Sequence, residues 1–390
     1  MHKRVMVVIL MTLFLVTGCW DKIEIEERAQ ISAIGIDKYT DPLDEQSNKS
    51  TVGDLDRIRQ DGSTKKDLLT FTFAFPKNSV EETEDIIISS VGDTLYGVSR
   101  VLANRTNKEI FLGHLRVVIL NSDVVKDVNL FREVIDGMQT NELLSRRVII
   151  AIVDGSASDI INIKPTMQPR IGQFISELFR RKDRTPRAPE GFIEDILRGL
   201  HENENTVIPK IIGGKTDVKL AGAGVIGKYQ FKGWLGELET SDLMVLKGKN
   251  DRVGGMSAIY KGRSIPIDLR PQKPKISLIE SGDNIKILIK IVSEADIKQT
   301  YFESSEDLLN AETIKDIENV FDQEMESRLE STVNKIQKEF ETDVIGISEF
   351  LRKYHPDLWN EVRGNWEEIF PNIDIDVSFD VEIRRTGLVR

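Results

Sequence analysis

The chain has a single cysteine, Cys19, among its 390 residues. One cysteine cannot form a disulfide within the chain, so the fold has to rest on the burial of apolar side chains. The composition supplies enough apolar residues for such a core, since 40% of the residues are hydrophobic and 30% are charged. The mean hydropathy of −0.25 is ordinary for a protein with a buried core and a polar surface. At about 100 to 200 residues per domain, the length predicts two or three domains, each with its own core.

The chain also lacks a surplus of positive charge. Its 53 Lys and Arg residues stand against 64 Asp and Glu residues, which gives a net charge of −11. Nucleic-acid binding requires clustered Lys and Arg to contact phosphates, and anionic lipid headgroups repel an acidic surface. The sequence therefore predicts no nucleic-acid partner and no electrostatic attraction to membranes.

Long apolar runs are scarce as well. One run spans residues 5–16, which is too short for the roughly 20 residues of a membrane-spanning helix. Lys3 and Arg4 precede this run, and Leu15-Val16-Thr17-Gly18-Cys19 closes it, although Leu is commoner than Val at position 16. A basic start, a short apolar run and small residues before a cysteine are typical of a lipoprotein signal peptide.

We therefore predict that residues 1–18 are a signal peptide, cleaved between Gly18 and Cys19, and that the Cys19 sulfur carries a diacylglyceryl group. Loss of the leader with its two basic residues takes the net charge from −11 to −13. The lipid would then be the membrane anchor, since two acyl chains hold a protein on a bilayer stably. The alternative is an ordinary secretory signal followed by a coincidental cysteine.

The pattern along the chain predicts an α+β fold with three mixed α/β domains, each a β-sheet with helices packed against it. Residues 41–67 are polar, without an apolar period, and we predict a flexible insertion there. Proline-bearing stretches at residues 182–189 and 266–274 indicate linkers. The predicted domains are N-terminal (19–187), middle (188–270) and C-terminal (271–390).

Some elements are clear from their periodicity. Alternation predicts a strand at residues 68–75, with its three phenylalanines on one face, and another at residues 373–383. Apolar residues spaced three and four apart from Ile88 to Leu102 predict an amphipathic helix. The same spacing from Ile317 to Phe340 predicts a long one.

Motifs with a known chemistry are incomplete. Residues 222–227 match G-x-G-x-x-G, but aromatic residues and further glycines follow where a dinucleotide site needs a helix, so we predict a hairpin. Residues 214–216 resemble the end of a phosphate-binding loop whose first glycine would fall at Pro209. Asp374, Asp376 and Ser378 resemble the start of a calcium loop, but Phe379 occupies its glycine position.

The remaining chemistry-bearing residues form no recognisable group. His114, His201 and His355 lie far apart, and neither a G-x-S-x-G elbow nor an H-E-x-x-H helix occurs. Carboxylates are too numerous for any pair to stand out. We predict a protein that is not an enzyme, with no catalytic residues, no cofactor and no metal site; the sequence identifies no ligand-binding residues.

Several short strings occur along the chain in a fixed order: Gly18-Cys19-Trp20-Asp21, Ile25-Glu26-Glu27-Arg28, Ile34-Gly35-Ile36-Asp37, Gly113-His114-Leu115-Arg116-Val117-Val118-Ile119, Asp343-Val344-Ile345-Gly346, Tyr354-His355-Pro356-Asp357-Leu358-Trp359, Trp366, Phe370-Pro371 and Arg384-Arg385-Thr386-Gly387-Leu388. In this order they resemble the Ger(x)C family, the lipoprotein C subunits of bacterial spore germination receptors. The resemblance covers nearly the whole chain after the leader, except residues 41–67.

This resemblance implies a lipoprotein on the extracytoplasmic face of the spore inner membrane. It also implies two integral membrane partners, the A and B subunits, and a role in nutrient-triggered germination. The family has three α/β domains and supplies no catalytic residues. Only the lipidation site carries over, onto Cys19, while His114 carries over as a signature residue with an expected structural hydrogen bond. Whether this subunit itself binds a nutrient is left open.

Two other functions fit a tethered extracytoplasmic protein. A lipid-anchored solute-binding protein would have two lobes around one cleft. A tethered cell-wall hydrolase would use some of the many carboxylates.

Overall fold

The computed structural model describes residues 27–40, 68–77, 84–180, 187–249, 253–282, 284–298 and 310–385. The predicted signal peptide, Cys19 and the polar stretch 41–67 lie outside these residues.

One large sheet forms the centre of the described part of the chain up to Leu235. Within the described residues it has eight strands, in the order β10-β9-β8-β7-β6-β2-β3-β4. These strands are β2 (Ala33–Lys38), β3 (Leu69–Pro76), β4 (Asp85–Gly92), β6 (Val117–Asn121), β7 (Ile149–Val153), β8 (Asn205–Gly213), β9 (Val218–Gly227) and β10 (Gln230–Leu235). The central strands β2, β6, β7 and β8 are parallel, and antiparallel strands flank them on both sides. A separate short parallel pair joins β1 (Arg28–Gln30) to β5 (Glu109–Phe111).

Helices cover both faces of the large sheet. One face packs against α1 (Leu95–Ala103), α2 (Ser122–Lys126), α3 (Val128–Thr140) and α6 (Ile193–Asn203). The other face packs against α4 (Ala157–Ile161) and α5 (Ile171–Arg180). Because parallel strands are buried on both faces, they carry continuous apolar runs. All five residues of β7 are buried accordingly.

The predicted helix from Ile88 to Leu102 is wrong in its first half. Ile88 and Val91 lie on β4, which pairs with β3, and α1 begins only at Leu95. The Thr94 hydroxyl caps α1 by accepting a hydrogen bond from the Gly97 N–H at 3.1 Å. The apolar residues of β4 and of α1 happen to lie three and four positions apart, so the helical spacing continues across the junction between the strand and the helix.

The C-terminal sheet comprises β11 (Val253–Tyr260), β12 (Arg263–Leu269), β13 (Lys275–Glu280), β14 (Lys286–Ile297) and β15 (Asp374–Arg385). The strand predicted from alternation at residues 373–383 is confirmed as β15, which pairs in parallel with β14. The long helix is also confirmed as α8 (Ala311–Lys338), whose buried residues include Phe321, Met325 and Leu329. Phe340 lies beyond the end of α8 but remains in the same core.

Helix α8 also meets the outer edge of β15 through its carboxylates. Glu318, Asp322 and Glu326 accept hydrogen bonds from the backbone N–H groups of Ile383, Val381 and Phe379, at 2.8, 2.8 and 2.9 Å. Four residues rise about 6 Å along a helix, and two residues span about 6.6 Å along a strand. Carboxylates one helical turn apart therefore match alternate residues of the strand.

Helix α7 (Glu237–Leu246) joins the two sheets. It packs against β9 of the large sheet and against α8 of the C-terminal part. Asp242, which is only 2% exposed, forms an ion pair with Arg328 and accepts a hydrogen bond from the Thr332 hydroxyl. Lys335 pairs with Glu239 on the same side at 2.8 Å.

The predicted α+β class is confirmed: the chain is a multidomain protein with mixed sheets and helices. Strands within the predicted middle domain, residues 188–270, divide between the two sheets. β8, β9 and β10 extend the large sheet, whereas β11 and β12 belong to the C-terminal sheet. The three domain boundaries remain a prediction about independently folding units, because strand pairing alone does not identify such units.

Candidate functional site

A cleft of about 1070 Å³ lies where the two parts of the chain meet. One wall comes from α6 and the start of β8. The opposite wall comes from β13 and from α9 (Ile347–Tyr354). Clefts of this kind between structural units are the usual places for small-molecule sites.

Lys247 lines this cleft and lies directly after α7. The residue as a whole is half-buried, and its ammonium group donates a hydrogen bond to the backbone carbonyl of Val344. Burial, reinforced by the like charge of Lys249, lowers the pKa of Lys247 to about 8, although Asp343 and Glu349 oppose this shift. The group is therefore a cation held in a site that does not fully compensate its charge.

Three carboxylates in or beside this cleft already have other hydrogen-bond or ion-pair partners. Asp343 accepts three backbone N–H groups at the start of α9, from Gly346, Ile347 and Ser348, at 2.6–3.0 Å. Of the four acidic residues that line the cleft itself, Asp195 pairs with Arg198 and Glu202 pairs with Arg352.

The sequence did not single out Lys247. Its only sequence signal is a lysine directly after the apolar residues Leu243-Met244-Val245-Leu246, and many surface helices end in this way. The role of Lys247 depends on Val344, nearly 100 residues away, and no local pattern reports that contact.

The signature strings, in contrast, have clear structural roles. In Ile34-Gly35-Ile36-Asp37, Gly35 lies against α4, where a Cβ atom would come within 3.0 Å of the Ala157 carbonyl oxygen. Asp37 caps the same helix, since it accepts hydrogen bonds from the N–H groups of Ala157 and Ser158 at 2.7 and 2.8 Å. Burial raises the pKa of Asp37, and these hydrogen bonds oppose that rise.

The glycine–histidine string also serves the fold. A Cβ atom at Gly113 would collide with the ring of Phe111. His114 shares a hydrogen bond with Gln30 at 3.1 Å and packs edge-on against that same ring. His114 thus links β1 to the segment after β5, in agreement with the structural hydrogen bond expected for it.

The C-terminal signature strings also cap helices and pack side chains. The Asp343 cap fixes the first turn of α9, and Gly346 takes a positive φ of 102° just before it. Pro356 stands in the first turn of α10 (Pro356–Val362), where its missing N–H costs nothing. Trp366 packs between Trp359 and Phe370, with ring contacts to both.

The motifs rejected at the sequence level are confirmed as strand and turn. Residues 222–227 lie in β9, and a two-residue turn leads into β10. Lys228 and Tyr229 both have positive φ, at 49° and 63°, as a type I′ hairpin turn requires. Asp374 and Asp376 lie on the exposed side of β15.

Two kinds of feature are absent from the part of the chain that the structure describes. No group of three or more His, Cys, Asp or Glu residues there could hold a metal ion. None of the helices there is long and apolar enough to cross a membrane. Gly18 and Cys19 lie outside these residues, so the cleavage and lipidation sites remain predictions.

Two family models match the chain in succession. Residues 21–212 match "Spore germination protein N-terminal domain", and residues 221–387 match "Spore germination B3/ GerAC like, C-terminal".

Individual proteins match over similar lengths. Spore germination protein YndF of Bacillus subtilis (strain 168) is 26% identical over 405 residues, which cover 99% of this chain and 97% of that protein. Spore germination protein B3 of the same strain is 25% identical over 385 residues, 93% of each. Among solved structures, the crystal structure of the GerBC protein matches with a TM-score of 0.55 and 20% identity, over 81% of this chain and 93% of that one. This structural likeness concerns the fold.

Proposed function

The chain belongs to the Ger(x)C family of spore germination proteins, and from this membership we propose that it is the lipid-anchored, non-catalytic C subunit of a nutrient germinant receptor. The observation that carries the proposal is the match of both family models, one after the other, along nearly the whole chain. The signature strings support it further, because those within the described residues cap helices and permit close packing rather than assemble reactive groups.

In this proposal Cys19 carries a diacylglyceryl group and holds the protein at the extracytoplasmic face of the spore inner membrane. Glu27, where the described fold begins, is eight positions after Cys19, with seven residues between them. A fully extended chain of this length spans at most about 28 Å. The short β1–β5 pair would therefore lie close to the membrane, near the two integral membrane subunits with which this chain would act.

Replacement of the anchoring residue tests this proposal. We expect Cys19→Ala to move the protein from the membrane fraction to the soluble fraction of spore extracts and to slow nutrient-triggered germination. The variant has no sulfur to receive the lipid, and two acyl chains supply most of the membrane affinity. Fractionation, mass spectrometry of the N-terminal peptide and optical density of germinating spores provide the measurements.

Val16→Leu is the matched control, because it changes the same segment toward the commoner lipobox residue and keeps Cys19. It should fractionate and germinate as the wild type does. A Cys19→Ala protein that stays in the membrane fraction would refute the anchoring. Cross-linked co-purification from spores, with no integral membrane subunit recovered, would refute the receptor assignment.

One observation favours the alternative, a solute-binding protein: the 1070 Å³ cleft lies between two parts of the chain. The family match favours the receptor subunit, and the two functions differ in their partners. A solute-binding protein would co-purify with a transporter rather than with receptor subunits.

A further inference from the structure

The cleft between α6 and α9 has an unbalanced set of charges. Lys247, Lys275 and Lys353 all line it, and none of them forms an ion pair with a carboxylate among the described residues. Two of the carboxylates in the wall, Asp195 and Glu202, already pair with arginines. Over the whole lining, five Lys and Arg side chains face four carboxylates, which gives a net charge of +1 in a chain whose net charge is −11.

Lys247 is the most constrained of these cations. An ammonium group has three N–H donors, and Val344 accepts one of them. The neighbouring Asp343 carboxylate cannot turn toward Lys247 without leaving the three N–H groups that it caps. A half-buried charge without a full set of partners is costly, and an anion from solution would relieve that cost.

The remaining lining determines what kind of anion fits. Ile276, Leu278 and Phe350 contribute apolar surface next to the lysines. The features that favour phosphate are occupied, because Arg198 is paired and the N-terminus of α9 is capped. Glu349 also lies in the wall, and its charge disfavours a dianion more than a monoanion.

We propose that this cleft binds a small organic carboxylate, whose carboxylate group is held by Lys247 and whose apolar part contacts Ile276 and Phe350. The site spans both parts of the chain, since α6 belongs to the large sheet's helices and β13 to the C-terminal sheet. The proposal does not depend on lipidation or receptor membership, and Cys19→Ala should leave carboxylate binding unchanged.

The test uses the full chain, purified in detergent, with sodium acetate, butyrate and benzoate as probes. Benzyl alcohol and inorganic phosphate are the comparison compounds. Ligand-observed NMR titration should show saturable binding of at least one carboxylate, with benzyl alcohol and phosphate at least about tenfold weaker. Absence of saturable binding by all three carboxylates would overturn the proposal, as would equal binding of benzyl alcohol.

Lys247→Met should weaken carboxylate binding by about tenfold or more, because it removes the cation and keeps an apolar stem of similar length. Lys215→Met is the matched control: Lys215 is exposed in the turn between β8 and β9, away from the cleft lining. Carboxylate binding by Lys247→Met at the wild-type level would contradict the assignment.

A second measurement on the wild-type chain does not depend on the folding of any variant. Brief acetylation with acetic anhydride, followed by mass spectrometry, reports the accessibility of each amine. The bound carboxylate should slow the acetylation of Lys247 severalfold and leave Lys215 unchanged. Equal rates at Lys247 with and without a saturating carboxylate, or equal protection of Lys215, would refute the site.

Discussion

At the scale of single residues, the family signature in this chain reflects geometry rather than reaction chemistry. Gly35 permits β2 and α4 to touch, while Asp37 and Asp343 each satisfy N–H groups that a helix start leaves unpaired. Such residues stand out in sequence because few residue types fit each role. Lys247 does not stand out, because its environment is built by distant segments.

We expect Gly35→Ala to destabilise the protein by about 1–3 kcal/mol, since the new methyl group would overlap the Ala157 carbonyl and the Ile161 side chain. Gly137→Ala is the control, because Gly137 lies in the exposed interior of α3 with no atom within 4 Å of the added Cβ. It should stabilise the helix by up to about 1 kcal/mol. Urea unfolding monitored by circular dichroism measures both changes, and equal effects at the two glycines would contradict the packing argument.

At the scale of elements, periodicity predicts the strands and helices that bury one regular face. β3, β15 and α8 are correct for this reason. The junction between β4 and α1 could not be located from spacing, because apolar residues of a strand and of the next helix fell into one helical pattern. The contacts of α8 with the edge of β15 were also beyond prediction, since they join residues more than 50 positions apart.

Asp322, one of the α8 carboxylates that contact the edge of β15, makes the free energy of unfolding depend on pH. Burial, reinforced by the nearby charges of Asp380 and Glu326, raises the pKa of Asp322 to about 7. The folded chain then holds this proton to a higher pH than the unfolded chain, so the free energy of unfolding falls as the pH rises from about 4 to about 7.

We therefore expect Asp322→Asn to be more stable than the wild type by roughly 1–3 kcal/mol at pH 8 and equally stable near pH 4, because the amide oxygen still accepts the Val381 N–H without a charge. Glu330→Gln, on the exposed side of α8, should show no such difference. Urea unfolding at the two pH values is the measurement. A variant that is less stable than the wild type at pH 8 would show that the charge itself is needed there.

At the scale of the whole molecule, α7 and α8 connect the two sheets through a buried charge. The α+β class could be predicted from the order of strands and helices, because the helices that pack on each sheet lie close to its strands in the sequence. The division of the strands within residues 188–270 between two sheets could not, since it is set by pairing with strands elsewhere in the chain, of β8 with β7 and of β12 with β14.

Loss of one partner of the Asp242–Arg328 ion pair should destabilise the protein where α7 packs on α8. We expect Arg328→Met to destabilise the protein by about 3 kcal/mol, because it leaves the Asp242 carboxylate buried with only the Thr332 hydroxyl. Arg352→Met removes the exposed pair with Glu202 and should cost less than about 1 kcal/mol. Addition of Asp242→Asn to Arg328→Met should recover part of the loss in chemical denaturation. No recovery would mean that the stem of Arg328, rather than its charge, stabilises the interface.

The carboxylates of α8 also bear on how this chain meets its neighbours. An outer strand normally presents a row of N–H groups to which any extended chain can add, which leads to unwanted association. On β15, the N–H groups of Phe379, Val381 and Ile383 are already taken by the chain's own side chains. An incoming strand would meet negative charge where it needs a donor. The C-terminal sheet is thus closed to strand addition along this stretch of β15, and a partner that docks here has to contact side chains instead.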